Sequence, residues 1–335
     1  MTDPTNDDLR QLFHETAAGI RPEGSYEEIR SRTRKVDPMA RRWFLPAMAA
    51  AAVMALVVGG AFYLALDEGS KSGPAVTPDP VSTEILYAGV TAGAKAGGPE
   101  NHSLFVEKHE VPALEAGKAD PVAAANLAIS GTPDDADYAS LWPAGVSVTS
   151  AEASGTGEDR AIVVRLSGPF QERPASMSDR DQMLAINALV RTVAVAAGEP
   201  DTGVRFENAV GNGETVLGED TLGITYFGQG DDDLATRAPV QITNLTDGQT
   251  VPPGTLTVKG VAAAFEANVG WALYVGGDAV VQSGFATAAE CCVLAPYSFE
   301  LKDLEPGTYT LLVHDTDESG EGLAVNQDSK EIVVQ

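Results

Sequence analysis

Two short stretches of this 335-residue chain carry side chains whose types and spacing could do chemistry. Asp315-Thr-Asp317-Glu-Ser319-Gly320-Glu321 begins like a D-x-D-x-S-G calcium loop, in which hard carboxylate oxygens converge where glycine permits a sharp turn. Position twelve of such a loop is Asn326 rather than a bidentate glutamate, and the flanking pattern is strand to strand rather than helix to helix. Asp315, Asp317 and Glu321 are therefore weak metal-ligand candidates, set against the plainer reading of an acidic, solvated hairpin loop. The only cysteines, Cys291 and Cys292, are adjacent. Three readings stand: a vicinal disulfide that rigidifies its loop, an intermolecular bridge that makes dimers, or two thiols. A bridge here has a structural role, not a catalytic one.

The rest of the titratable inventory is bland. His14, His102, His109 and His314 show no ligand spacing with one another. The chain holds no H-E-x-x-H, no G-x-S-x-G, no P-loop and no dinucleotide fingerprint. Asp231-Asp-Asp233 reads as a linker charge cluster. Trp142 and Trp271 read as packed core residues. The expectation is a chain that is not an enzyme, with no cofactor; a serine or carboxylate site assembled in space is the one catalytic reading that spacing does not address.

Elements that position such residues begin with an uncharged run, Trp43 to Leu66. As a helix it is about 36 Å long, enough to cross a hydrocarbon core of roughly 30 Å. Arg30, Arg32, Arg34, Lys35, Arg41 and Arg42 precede it, and only Lys71 follows before Lys95. The positive-inside bias places residues 1–42 in the cytoplasm and residues 67–335 outside. A cleaved signal peptide fits poorly, because the run is long and no A-x-A site closes it. The chain has 22 Lys and Arg against 48 Asp and Glu; eight of each lie in residues 1–42, so the net charge of −26 belongs to the exterior. Such a surface excludes nucleic acid and anionic headgroups as partners.

The tail carries two short helical signals, one from Asp7 and one from the Ser25/Glu28 capping box, and could dock a cytoplasmic regulator or simply orient the anchor. Residues 67–83 form a Gly/Ser/Pro linker. Residues 84–228 mix short strands (Ile85–Tyr87, Ser103–Val106, Ala161–Leu166, Val204–Phe206) with a helix over Val122–Ile129, opened by Asp120-Pro121 and stopped by Gly131, and a longer helix from Ser178 to Gly198. That is an α+β or α/β pattern. After an acidic linker at 229–237, residues 238–335 show no helical period. About seven strands recur there (Val240–Thr243, Thr255–Val261, Gly270–Val275, Ala279–Phe285, Tyr297–Leu301, Thr308–Val313, Lys330–Val334), the rhythm of an immunoglobulin-like sandwich.

Two resemblances follow. Ala238-Pro-Val-Gln-Ile242, Thr246–Val251, Leu256–Gly260, Ala264-Phe-Glu-Ala-Asn-Val269, Gly284–Thr287 and Ala295–Phe299 resemble the immunoglobulin-like domain of bacterial spore germination proteins. Leu141-Trp-Pro-Ala-Gly145, the strand Ile162–Phe170 and Gly203–Phe206 resemble the GerM-type sporulation and germination (GerMN) domain. The order anchor, linker, GerMN, sandwich is similar to single-pass membrane proteins of high-GC Gram-positive bacteria. The resemblance implies a multidomain chain: a single transmembrane helix, an α+β GerMN-like domain and an all-β sandwich. It further implies non-catalytic binding or scaffolding in the cell envelope, with envelope proteins or wall components as partners. The alternative is transmembrane signalling, an anti-sigma-like regulator acting through the tail. Neither domain brings a catalytic set that maps onto residues here.

Overall fold

The computed structural model describes residues 78–90, 102–207, 215–228, 233–277, 279–290, 293–315 and 326–335. The tail, the apolar run 43–66, linker residues 67–77, Cys291, Cys292, Asp317 and Glu321 lie outside the described residues. Among the described residues no helix is long and apolar enough to cross a membrane. Residues 74–335 form one compact unit, mostly of β-structure.

The first half of that unit begins with β1 (Val81–Val90) and β2 (His102–Val111), an antiparallel pair far longer than the apolar cores that announce it. A small hairpin, β3 (Ala113–Glu115) with β4 (Lys118–Ala119), leads to α1 (Pro121–Ser130). Asp120 caps this helix by accepting from the Val122 and Ala123 N–H groups, and Pro121 fills the first turn, where no donor is needed. β5 (Tyr138–Ala139) adds to the far edge of β1. β6 (Ser147–Ser154) and β7 (Ala161–Ser167) pair antiparallel; α2 (Asp179–Ala196) then crosses over to β8 (Gly203–Phe206), which lies parallel to β7. Ser178 caps α2 through the Asp181 N–H. The helix ends in a Schellman motif, with the Glu199 N–H on the Ala194 carbonyl, the Gly198 N–H on that of Val195, and Gly198 at φ +73°.

β6 is absent from the sequence reading for a plain reason. Ser-Val-Thr-Ser-Ala-Glu-Ala-Ser buries Val148 deeply and leaves much of the rest wet, so it has no apolar alternation to detect.

Burial dictates how these pieces stack. Ile85, Leu86, Tyr87 and Ala88 are all buried, so β1 is covered on both faces. Ala124 and Ala128 of α1 cover the Ile85/Tyr87 face, and Leu184 and Ala188 of α2 cover the Leu86/Ala88 face. From the other side of α2, Leu189, Val190 and Val193 pack on Ile162, Val164 and Val204 of the second sheet. A helix buried nearly all round belongs inside a layered structure. Where β5 stops pairing, the open edge of β1 is closed by a side chain: the Leu86 N–H donates to Thr192 Oγ1 at 3.2 Å.

The thin hairpin of β9 (Thr215–Val216) with β10 (Glu219–Asp220) and the one-turn helix α3 (Asp233–Thr236) lead into the second half. There β11 (Val240–Ile242), β13 (Gly254–Ala264) and β17 (Ala295–Leu304) form one sheet, with the short β16 (Ala289–Glu290) parallel to β13. The second sheet runs β12 (Gln249–Val251), β19 (Gln327–Val334), β18 (Gly307–His314), β14 (Asn268–Val275), β15 (Ala279–Thr287). Val258, Tyr297 and Leu301 from one sheet meet Val269, Leu273, Leu311 and Ile332 from the other. All seven expected strands fall in these sheets. Trp271 stacks on Phe299 with ring centroids 4.6 Å apart and packs against the core.

The halves are continuous at the edge of β2, where the Ala238 N–H donates to the Leu104 carbonyl at 2.9 Å and Arg237 forms a parallel bridge with Leu104. Arg180 near the start of α2 reinforces the junction, donating to the carbonyls of His102 and Ala235 and to Ser103 Oγ.

Candidate functional site at the interdomain seam

The polar chemistry of the described residues gathers between the two halves, on strand ends that look like loops in the sequence. β2 does not stop at its apolar core; it continues through Glu107-Lys-His109-Glu. Period-two alternation puts Glu107 and His109 on the face that also carries Phe105. His109 Nε2 lies 2.9 Å from Glu107 Oε2, and its ring meets Tyr87 edge-on. Glu107 also caps the turn that follows α1: Oε2 accepts from the Asp134 N–H at 3.0 Å and Oε1 from the Asp135 N–H at 2.8 Å. Burial pushes the Glu107 carboxyl up, but the hydrogen bonds from His109 and the two backbone N–H groups outweigh it and hold it below the usual carboxylate range. The same bond to Glu107 raises the His109 imidazole above its ordinary value.

The capped turn aims Asp135 at the sandwich. Asp135 Oδ1 accepts from the Asp137 N–H at 2.8 Å, and Oδ2 accepts from Lys330 Nζ at 2.5 Å. Lys330 Nζ also donates to the Tyr138 hydroxyl at 2.8 Å and lies 4.3 Å from that ring's centroid. The Tyr138 hydroxyl donates to Asp328 Oδ1 at 2.7 Å, and Asp328 Oδ2 accepts from the Ile242 N–H at 2.6 Å. Phe105 stacks on Tyr138 at 4.6 Å and holds its ring in place. Asp135, Asp328 and Lys330 are 4%, 4% and 2% exposed, so solvent does not screen them.

The electrostatics follow from burial. Desolvation pushes Lys330 down, yet the Asp328 charge and the Asp135 hydrogen bond prevail and keep it above its ordinary value, so the ammonium stays charged. Burial pushes Asp328 up against the pull of Lys330. Both Asp328 oxygens face donors, the geometry of a carboxylate. Tyr138 is driven far above the usual phenol range by burial and by Asp328, and it remains a donor. This constellation fastens the turn after α1 to β19. The groups around Lys330 are committed to one another, with no activated nucleophile beside a base.

Sequence reasoning misses all five of Glu107, Asp135, Tyr138, Asp328 and Lys330. A signal for two of them exists. The inward row of β19 reads Asp328, Lys330, Ile332, Val334, so stepping the apolar alternation back twice places a carboxylate and an ammonium on the core face. Nothing local marks Asp135, because Thr-Pro-Asp-Asp-Ala-Asp is ordinary turn composition.

The residues singled out by sequence lie elsewhere. Asp315 is partly buried at the base of its loop, where Oδ1 accepts from the Asn326 N–H at 2.8 Å and Oδ2 from Asn326 Nδ2 at 2.6 Å. Burial raises its pKa. Both carboxylate oxygens thus close the loop neck; its companions Asp317 and Glu321, like Cys291 and Cys292, lie outside the described residues. Trp142 is buried and donates from Nε1 to the Ala185 carbonyl at 3.1 Å. Of the histidines, His102 pairs with Asp181 at 2.7 Å, and His314 covers Gly270, where a β-carbon would meet the ring at 2.5 Å.

Fold and seam together define a mostly β chain that includes an immunoglobulin-like sandwich. Residues 239–321 match the family described as the immunoglobulin-like domain of bacterial spore germination, so the sandwich is similar to that kind of domain. No curated protein matches the chain. Among solved structures, the crystal structure of an engineered protein is 14% identical, covering 45% of this chain and 36% of that chain at a TM-score of 0.23. The chain thus spans about a third of that protein's length, and a likeness of this size carries no argument about the fold.

Proposed function

We propose that this chain is a membrane-anchored, non-catalytic protein of the cell envelope that binds or scaffolds through two extracellular modules, a GerMN-like domain and the immunoglobulin-like domain. The observation that carries the reading is the match of residues 239–321 to the immunoglobulin-like domain of bacterial spore germination, which supports a binding or scaffolding role. The seam supports it: a buried Lys330–Asp135 pair ties the sandwich to the residues before it within one compact unit, so the two can present a shared surface. The apolar run 43–66 and the basic residues before it support an anchor with the tail inside. The GerMN reading rests on Leu141–Gly145, Ile162–Phe170 and Gly203–Phe206.

In-cell crosslinking of the full-length protein and mass spectrometry, with and without residues 1–35, tests this. Envelope proteins or wall fragments captured equally by both forms are the expected result. Partners that are cytoplasmic and vanish with the tail would replace the scaffold by a transmembrane signalling protein. A labelling reagent that cannot cross the membrane but modifies Lys35 and spares Lys118 would overturn the orientation.

A further inference from the structure

We infer that Glu107, His109 and Asp134, at the outer rim of the seam, form a divalent-cation site suited to a borderline metal such as Zn2+ or Co2+. Each offers one ligand atom, and the three atoms all lie within 4.8 Å of one another. A tetrahedral ion with bonds of about 2.0 Å has ligand–ligand edges of roughly 3.3 Å. Glu107 Oε2 and His109 Nε2 are already 2.9 Å apart, on a strand that fixes both backbones. Only the Asp134 carboxylate has to swing inward. It is free to do so, because Asp134 is exposed while its N–H is held by Glu107. When the ion binds, the imidazole keeps its proton on Nδ1.

Two further observations point to a cation. The first is a surplus of negative charge. Asp134 and Asp247 line one cavity with Glu107, and the buried Lys330 on its wall is paired with Asp135 and Asp328, which leaves the exposed Lys108 as the other cation there. The second is space. A cavity of about 230 Å3 opens beside the ligands, walled by Glu107, Asp134, Lys108, Thr246, Asp247 and Lys330. It has room for several waters, enough to complete a coordination sphere. One imidazole nitrogen with two carboxylates selects zinc, manganese or cobalt over calcium, which takes six to eight oxygens. The ion would join β2 to the turn that presents Asp135 to Lys330, and so brace the seam from outside.

The test is titration of the full-length, chelator-treated protein with Zn2+ by calorimetry and with Co2+ by visible absorption. One saturable equivalent, and cobalt d–d bands of a low-symmetry nitrogen/oxygen site, are expected. Asp134→Asn changes an exposed side chain and spares the fold; it and His109→Gln should each weaken binding at least tenfold, with circular dichroism unchanged for Asp134→Asn. Asp315→Asn, in the other acidic loop, should leave binding as it is. Absence of saturable binding at millimolar Zn2+, or binding that Asp134→Asn leaves unaltered, overturns the assignment.

Discussion

Lys330 and Asp135 are 195 positions apart in the chain and 2.5 Å apart in space, and both are almost wholly buried. A pair in that setting is costly to assemble and more costly to break, because either partner left alone is a desolvated charge. Lys330→Met removes the cation and leaves Asp135 and Asp328 facing each other across the seam. The expected loss is about 3–5 kcal/mol of unfolding free energy. Adding Asp135→Asn should cost less than the sum of the two single changes, since the second removes a charge that the first stranded. Urea unfolding of the four proteins of the cycle checks this; a loss below about 1 kcal/mol for Lys330→Met, the range of exposed pairs, would show that the seam opens to water.

That pair also shows which parts of the molecule its sequence announces. α1 and α2 are legible because Asp120-Pro121 and Ser178 supply caps and Gly198 supplies a left-handed stop, all local effects. The sandwich strands are legible because one face is apolar. The seam is legible only by half. Asp328 and Lys330 keep step with Ile332 and Val334, but charged residues at strand ends are ordinarily solvated, and only the arrival of Asp135 and Tyr138 from a distant turn makes them core. Glu107 and His109 are obscured likewise, since Glu-Lys-His-Glu reads as the end of a strand until the turn after α1 folds over it.

Buried Trp142 and half-buried Trp271 separate a bonded tryptophan from one that only packs. Trp142 Nε1 donates to the Ala185 carbonyl, whereas Trp271 Nε1 has no hydrogen-bond partner among the described residues. Trp142→Phe gives up both volume and a buried bond, and about 2–3 kcal/mol should be lost. Trp271→Phe sheds a donor already unpaired and keeps a ring over Phe299, so the cost should stay under about 1.5 kcal/mol. Thermal melts of the two variants decide; equal destabilisation would contradict the distinction.

Gly260 of β13 has no room for a side chain. A β-carbon there would lie 2.1 Å from the Gln241 carbonyl oxygen and 2.3 Å from the Tyr297 ring, whose hydroxyl donates to that same carbonyl. Neither can retreat without parting β11 from β13. Gly260→Ala should therefore cost about 1–3 kcal/mol through overpacking, despite alanine's better fit to a strand. Gly277→Ala, at an open turn with φ +87°, carries strain without a clash and serves as the comparison. Native-state hydrogen exchange at Thr243 and Val261 should rise in the first variant alone; unchanged protection there would mean that the sheet absorbs the methyl group.

Acid and alkali should unfasten different ends of the structure. Burial pushes Asp181 up, but hydrogen bonds from His102 and Ser178 outweigh it and leave the carboxyl below its ordinary 3.8. Its folded value is depressed, so its contribution is present above pH 3.8 and is lost as the pH falls through the folded value. Being partly exposed, it is worth at most about 1 kcal/mol. Lys330 has the opposite sense: its folded value is raised, so its contribution is complete below 10.5 and disappears as the pH climbs through the folded value. The stability gap between the wild type and Asp181→Asn should thus be constant at neutral pH and close in acid, while the gap to Lys330→Met should hold at neutral pH, narrow in acid as the stranded, buried Asp328 takes up a proton, and shrink on the alkaline side only as Lys330 itself deprotonates in strong alkali. Denaturant midpoints measured across that range test both limbs, and an Asp181→Asn gap that survives into strong acid would remove the His102–Asp181 pair as its cause.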